Sequence, residues 1–293
     1  MVARAKILLA ICGLFFLLNC GDGDSSAPQM RVISVEGASN FRDFGGYPTT
    51  SGKTVRWRQL FRSSNLSELT DIGLESFESL GIRMVIDLRT SEEIKTTTGP
   101  DNLPQGVHSQ NIALDDSQIS DPLKYALETG DTSGLEFDKL VQAYADFYIR
   151  NVTQYKELLP FVMSSDNRPI DIHCRGGATR TGLTVALIQL ILGVTEVSVM
   201  GDFLLTNEVA ASDNQKSVHW FLSQIKDPTP EDKENLTNFV TMHSEYLQAA
   251  LDEVVKAEEY GSVDKYIRKG LGITDEQRSA FRAALLKGNS NAS

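Results

Sequence analysis

Residues 173 to 182 read His-Cys-Arg-Gly-Gly-Ala-Thr-Arg-Thr-Gly and sit between a strand-like and a helix-like segment. The β-branched run Ile170-Asp171-Ile172 leads in after Pro169. Thr181 to Leu192 leads out with helical composition and stops at Gly193, which suits the left-handed position after a helix. Leu183, Val185, Ala186, Leu187, Ile188, Leu190, Ile191 and Leu192 make that helix apolar nearly all round, so it belongs at the centre of a domain. A strand turning through glycines into a buried helix predicts an α/β fold.

The same segment carries a specific chemistry. A loop curling into a helix N-terminus points successive backbone N–H groups inward, where they and the positive end of the helix dipole form an anion site. Cys174 stands at the start of that loop, in a field that favours a thiolate. Arg180, six positions on, offers a planar fork of donors matched to two phosphate oxygens. Gly176 and Gly177 let the backbone approach an anion without a Cβ in the way. The Thr181 hydroxyl is positioned to hydrogen-bond the thiolate or help its departure. His173 is placed to order the loop, and Arg175, Ala178 and Thr179 complete the cradle. A cysteine before a helix is often only a small buried hydrophobe, but the full string is far more specific than that.

The cysteines are three: Cys12, Cys20 and Cys174. The first two lie in the N-terminal apolar stretch, which leaves Cys174 without a disulfide partner in the domain. Arg4 and Lys6 precede an apolar run from Ile7 to Leu18, the pattern of a secretory signal and too short for a comfortable membrane span. Leu17-Leu18-Asn19-Cys20 resembles a bacterial lipobox, with Asn19 departing from the small residue usual there. These features predict a signal peptide over 1–19, lipidation at Cys20, a flexible tether over 20–30 and a single domain over 31–293. The location expected is the periplasm or cell envelope. An uncleaved N-terminal anchor gives the same side of the membrane.

A net charge of −11 and the lack of a long basic run exclude nucleic acid as a partner, and the four scattered histidines offer no metal-ligand spacing. No cofactor is expected. Anion affinity in so acidic a chain has to be local. Strands are predicted over Thr54–Arg62, Ile82–Leu88 and Val107–Leu114. Helices are predicted from a Thr70 cap to Leu80, closed by Gly81, and over Phe137–Met163 with a break near Asn151. After Thr195 the chain reads as helical almost to its end. Trp220, Phe221, Phe239, Met242, Tyr246, Leu247, Ala250 and Val254 recur there at the spacing of a core face.

Further blocks extend the pattern: Asn40-Phe41-Arg42-Asp43-Phe44-Gly45-Gly46-Tyr47, Leu60-Phe61-Arg62-Ser63-Ser64, Val85-Ile86-Asp87-Leu88-Arg89, and Asp202-Phe203-Leu204-Leu205-Thr206-Asn207. With the loop, they resemble the bacterial tyrosine phosphatase family that includes IphP and secreted tyrosine phosphatase B. The resemblance spans about 40 to 286. It implies a cysteine-phosphatase-like, mostly parallel sheet flanked by helices, with a helical lid from within about 205–250. It implies metal-independent hydrolysis of phosphomonoesters through a cysteinyl-phosphate intermediate, acting on a phosphotyrosine protein or small aryl phosphate. Asp87 and Arg89 match family positions near the loop, Asp87 as a catalytic carboxylate or a loop cap. Arg42 is the ligand-contacting candidate of its block.

One departure matters. The family loop usually reads Cys-x-x-Gly-Lys-Asp-Arg, and here Ala178 and Thr179 replace the Lys and Asp. Thr179 is a poor proton donor to a leaving phenolate. The acid then sits elsewhere, with Asp115, Asp116, Asp138 and Asp146 as upstream candidates, or catalysis is weakened. Two other readings stand beside a tyrosine phosphatase of single or dual specificity. One is a phosphate-binding pseudophosphatase, and the other is a rhodanese-type sulfurtransferase.

Overall fold

The structure is a computed structural model and describes residues 31–288. The expected signal peptide, lipidation at Cys20 and tether fall outside the described residues. Among the described residues seven strands form: β1 (Arg42–Asp43), β2 (Thr54–Val55), β3 (Leu60–Ser63), β4 (Met84–Asp87), β5 (His108–Asn111), β6 (Ile170–His173) and β7 (Leu286–Lys287). Five of them make the main sheet in the order β1-β3-β6-β4-β5. β3, β6, β4 and β5 run parallel, and β1 adds antiparallel at the edge. β2 and β7 pair separately, so Thr54–Arg62 is two strands in two sheets, not one. The intervening Arg56–Gln59 turns, with Arg58 at φ 58°, and this breaks the run.

Helices wrap the sheet: α1 (Asp71–Ser79), α2 (Ser91–Glu93), α3 (Ser117–Thr129), α4 (Phe137–Ala145), α5 (Phe147–Arg150), α6 (Val152–Met163), α7 (Thr179–Leu192), α8 (Glu196–Val209), α9 (Ala211–Gln224), α10 (Pro230–Val240), α11 (Ser244–Lys256), α12 (Val263–Lys265) and α13 (Asp275–Leu285). Thr70 caps α1 by accepting from Gly73 N at 3.2 Å, and Gly81 follows it at φ 67°. The segment 137–163 is three helices, interrupted at Asp146 and again at Asn151. α3 is not anticipated by the sequence reading, since Pro122 and a polar N-terminal half mask its period.

Strand alternation divides the core. Leu60, Ile86, Ile170 and Ile172 face the larger cluster, while Phe61 and Val85 face a smaller one built on Phe41, Phe77 and Leu80. α7 is buried from Arg180 to Gln189, as its all-round apolar composition requires. Gly193 ends it in the left-handed region at φ 84°. Trp220 departs from the expected core face: it is 51% exposed, while Phe221 beside it is buried.

Candidate active site

Cys174 follows the last residue of β6, and α7 begins at Thr179. The loop between them lies at the C-terminal edge of the parallel strands, where open α/β sheets place their ligands. Cys174 is buried and its sulfur is unbridged.

The loop owes its form to donors outside it. His173 Nδ1 lies 3.2 Å from the Cys174 carbonyl. Asn65 donates to the Arg175 carbonyl from its backbone N at 3.0 Å and its side chain at 3.3 Å. Asn40 Nδ2 donates to the Gly176 and Gly177 carbonyls at 3.2 and 2.9 Å, and Arg62 Nη2 donates to Gly177 at 2.7 Å. Four consecutive carbonyls are thus held by outside donors, an arrangement that leaves the N–H groups for an anion. Gly177 adopts φ 65°, and a Cβ there would stand 2.4 Å from the Ser63 carbonyl oxygen. A Cβ on Gly176 meets nothing within 4 Å, so only Gly177 needs to be glycine, and the neighbour that requires it is backbone from β3.

His173 bridges the loop and a carboxylate. Its Nε2 lies 3.0 Å from Asp101 Oδ2. Burial disfavours its charge, but the hydrogen bond and charge of Asp101, with Asp87 and Asp171, push its pKa up to about 9. A doubly protonated ring suits both contacts, donating to a carbonyl on one side and a carboxylate on the other. Asp87, Asp101 and His173 come within 4.8 Å of one another. Arg89 supplies the cation there, bonding Asp87 from Nε and Nη2 at 2.8 Å each and Asp101 from Nη2 at 2.7 Å. Asp87 is buried at the end of β4 and paired with Arg89, the arrangement of the loop-cap alternative.

The structure corrects the ligand contact expected of Arg42. It is fully buried and donates to the Asn40 side chain and carbonyl, to Thr206 Oγ1 at 2.9 Å and to the Asp202 carbonyl at 3.1 Å. Asp202, from α8, also accepts from Arg62 Nη1 at 2.7 Å. Burial opposes the Asp202 charge, and Arg42 and Arg62 overcome it, so its pKa is lowered. Arg42 thus fixes Asn40 and Asp202 beneath the loop and is not available to a ligand.

Arg180, in the first turn of α7, is paired with two carboxylates. Its Nη1 and Nη2 each donate to Glu93 at 2.6 Å, and its Nε lies 3.0 Å from Asp116 Oδ2. Burial disfavours the guanidinium charge, but Glu93, Cys174 and Asp116 more than offset this and raise its pKa. Glu93 is itself held by a capping box with Thr90 at the start of α2. Burial raises its pKa, but the Arg180 hydrogen bonds and charge hold it at about 2. Asp116 moves the other way: burial and the nearby Glu93 raise its pKa against the pull of Arg180. Sequence reasoning missed Glu93, although Thr90-Ser91-Glu92-Glu93 just after β4 is a capping-box signature.

The remaining predicted residues fall into place around these. Thr179 Oγ1 pairs with the Tyr144 hydroxyl at 2.9 Å, and Tyr144 stacks on Tyr246 of α11 at 4.3 Å between ring centres. The helical cover over this side of the loop is therefore α4 with α11. Thr181 is sealed in, and its hydroxyl has no hydrogen-bond partner among the described residues. Arg175 and Gly176 are exposed at the mouth, and Ala178 is half-buried. Asp138 is exposed, while Asp115 and Asp146 pair with Arg150.

A buried cysteine, an anion-shaped loop and an arginine at the edge of a parallel sheet define a cysteine-dependent phosphatase. The chain belongs to the tyrosine phosphatase family, whose pattern it matches over residues 33–287. It is 30% identical over 284 residues to the triple specificity protein phosphatase PtpB of Mycobacterium tuberculosis, covering 88% of this chain and all of that one. A provisionally named tyrosine-protein phosphatase of Cupriavidus necator is 26% identical over 254 residues, covering 85% of this chain and 87% of the relative. A tyrosine-protein phosphatase of Nostoc commune is 22% identical over 274 residues, covering 89% and 87%. The protein is a protein-tyrosine phosphatase.

Proposed function

We propose that this phosphatase works with Cys174 as nucleophile, Arg180 as transition-state clamp and Asp116 as proton donor, on phosphotyrosine proteins or small aryl phosphates outside the cytoplasm. The observation that carries the reading is the loop whose four carbonyls are all held by outside donors around a cysteine and an arginine.

Cys174 Sγ attacks phosphorus as the P–O bond to the leaving group breaks. Asp116 gives its proton to that oxygen, and a thiophosphoryl enzyme remains. Water then attacks phosphorus, Asp116 recovers a proton from it, and the S–P bond breaks to release phosphate. The loop N–H groups and Arg180 stabilise the charge on the equatorial oxygens throughout. Asp116 fits the acid role in two respects. It lies against Arg180, and burial already raises its pKa. A substrate dianion placed beside it raises that pKa further.

The exported location rests on the N-terminal pattern of Arg4 and Lys6, the apolar run to Leu18, and Cys20. Mass spectrometry of the membrane fraction tests it through a diacylglyceryl group on Cys20. For the chemistry, the test is hydrolysis of a phosphotyrosine peptide. Inhibition by vanadate, resistance to chelators and loss in Cys174→Ser are expected. Full activity in Cys174→Ser would sink the reading.

A further inference from the structure

A cavity of about 550 Å³ lies between α6 and α13, away from the catalytic loop. Arg168 lines it and immediately precedes Pro169 and β6, so roughly 13 Å of strand separates it from Cys174 at the other end. The walls are mainly apolar, with Leu159, Met163, Ile273 and Phe281 prominent.

Arg168 is 7% exposed, and its Nε and Nη1 are buried without any hydrogen-bond partner among the described residues. Its guanidinium carbon sits 5.9 Å from the Phe281 ring centre. Burial alone lowers its pKa. A buried guanidinium is normally paired, because leaving its donors empty is costly. Elsewhere in this protein the rule holds, with Arg42, Arg89 and Arg180 each bonded to carboxylates. Among the described residues the charged side chains lining the cavity are Lys156 and Arg168, with no carboxylate, in a chain of net charge −11.

We propose that this cavity binds a small amphiphilic anion, its acidic head on Arg168 and its apolar body along α6 and α13. A volume of this size suits a small molecule, and the two cations select for negative charge. The site is independent of the catalytic reading, since it shares no residue with the loop.

Calorimetric titration of the whole protein, with vanadate present to block the loop, tests this. The probes are decanoate, decyl phosphate, decan-1-ol and inorganic phosphate. Saturable one-to-one binding is expected for decanoate, for decyl phosphate or for both, and the stronger of the two identifies the head group. Decan-1-ol and inorganic phosphate should bind about tenfold more weakly or worse. Arg168→Gln should lose about tenfold or more in affinity. Ala284→Trp, which fills the cavity from α13, should abolish binding while hydrolysis of an aryl phosphate is unchanged. If Arg168→Gln does not fold, the head-group comparison in the unmodified protein and the Ala284→Trp variant still decide. Equal binding of decanoate and decan-1-ol, undiminished binding by Ala284→Trp, or no saturable binding at millimolar concentration overturns the proposal.

Discussion

Glu93 meets both terminal nitrogens of Arg180 at 2.6 Å, in a fork-to-fork pairing fixed by the first turn of α2. The guanidinium is thereby aimed before any substrate arrives, and its remaining nitrogen is left to Asp116. The site holds its arginine in register with two carboxylates. One is held ionised and the other has a raised pKa.

Replacing Glu93 by Gln keeps the shape and much of the capping box but removes the charge that orients Arg180. We expect kcat/KM for an aryl phosphate to fall about tenfold to a hundredfold, and Tm to fall as well, since the depressed Glu93 pKa is itself a contribution to folding. Because the Glu93 pKa is held near 2, this contribution should not titrate within an assay range above pH 4. A variant as active as the unmodified protein would exclude the positioning role.

Asp116→Asn should lower kcat by about a hundredfold for phenyl phosphate and by clearly less for a substrate with a better leaving group. The basic limb of the pH–rate profile should disappear with it. An unchanged limb would assign the proton to another group.

The pH dependence of stability should carry the signature of His173. Its folded pKa, about 9, lies above the ordinary value of 6.5. Its contribution is therefore complete below about pH 6.5 and is lost as pH rises through 9. Urea unfolding from pH 6 to 10 should show this decline, flattened in Asp101→Asn. A decline of equal size in that variant would count against the pairing.

Asn40→Ala should unsettle the loop at two carbonyls at once. A stability loss of about 1–3 kcal/mol is expected, together with weaker vanadate inhibition. Loss of stability with vanadate affinity intact would show that the loop keeps its shape without Asn40.

Alanine at the two loop glycines should separate them. Gly177→Ala forces a Cβ against the Ser63 carbonyl at positive φ and should cost roughly 1–3 kcal/mol. Gly176→Ala meets open space and should stay within about 0.5 kcal/mol. Thermal unfolding of the pair checks both.

The sequence made the loop, its flanking strand and helix, and the family legible because each depends on local chemistry. Thr70, Gly81 and Gly193 mark helix ends for the same reason. Arg42 misled because burial is not a local property: it looks like a free functional group until α8 brings Asp202 to it. Glu93 stayed hidden because its partner is 87 positions away, although its capping box was visible. Trp220 shows the opposite limit, since helical spacing marks a face without saying whether anything covers it.

The donors that turn the loop carbonyls outward come from residues 40, 62, 65 and 173, none of them between Gly177 and Arg180. The machinery that shapes the cradle and the side chains that tune it thus occupy separate stretches of chain. The side chains at positions 178 and 179 can therefore change without reworking the frame. Substitutions there would alter what the site accepts while leaving the cradle's backbone in place.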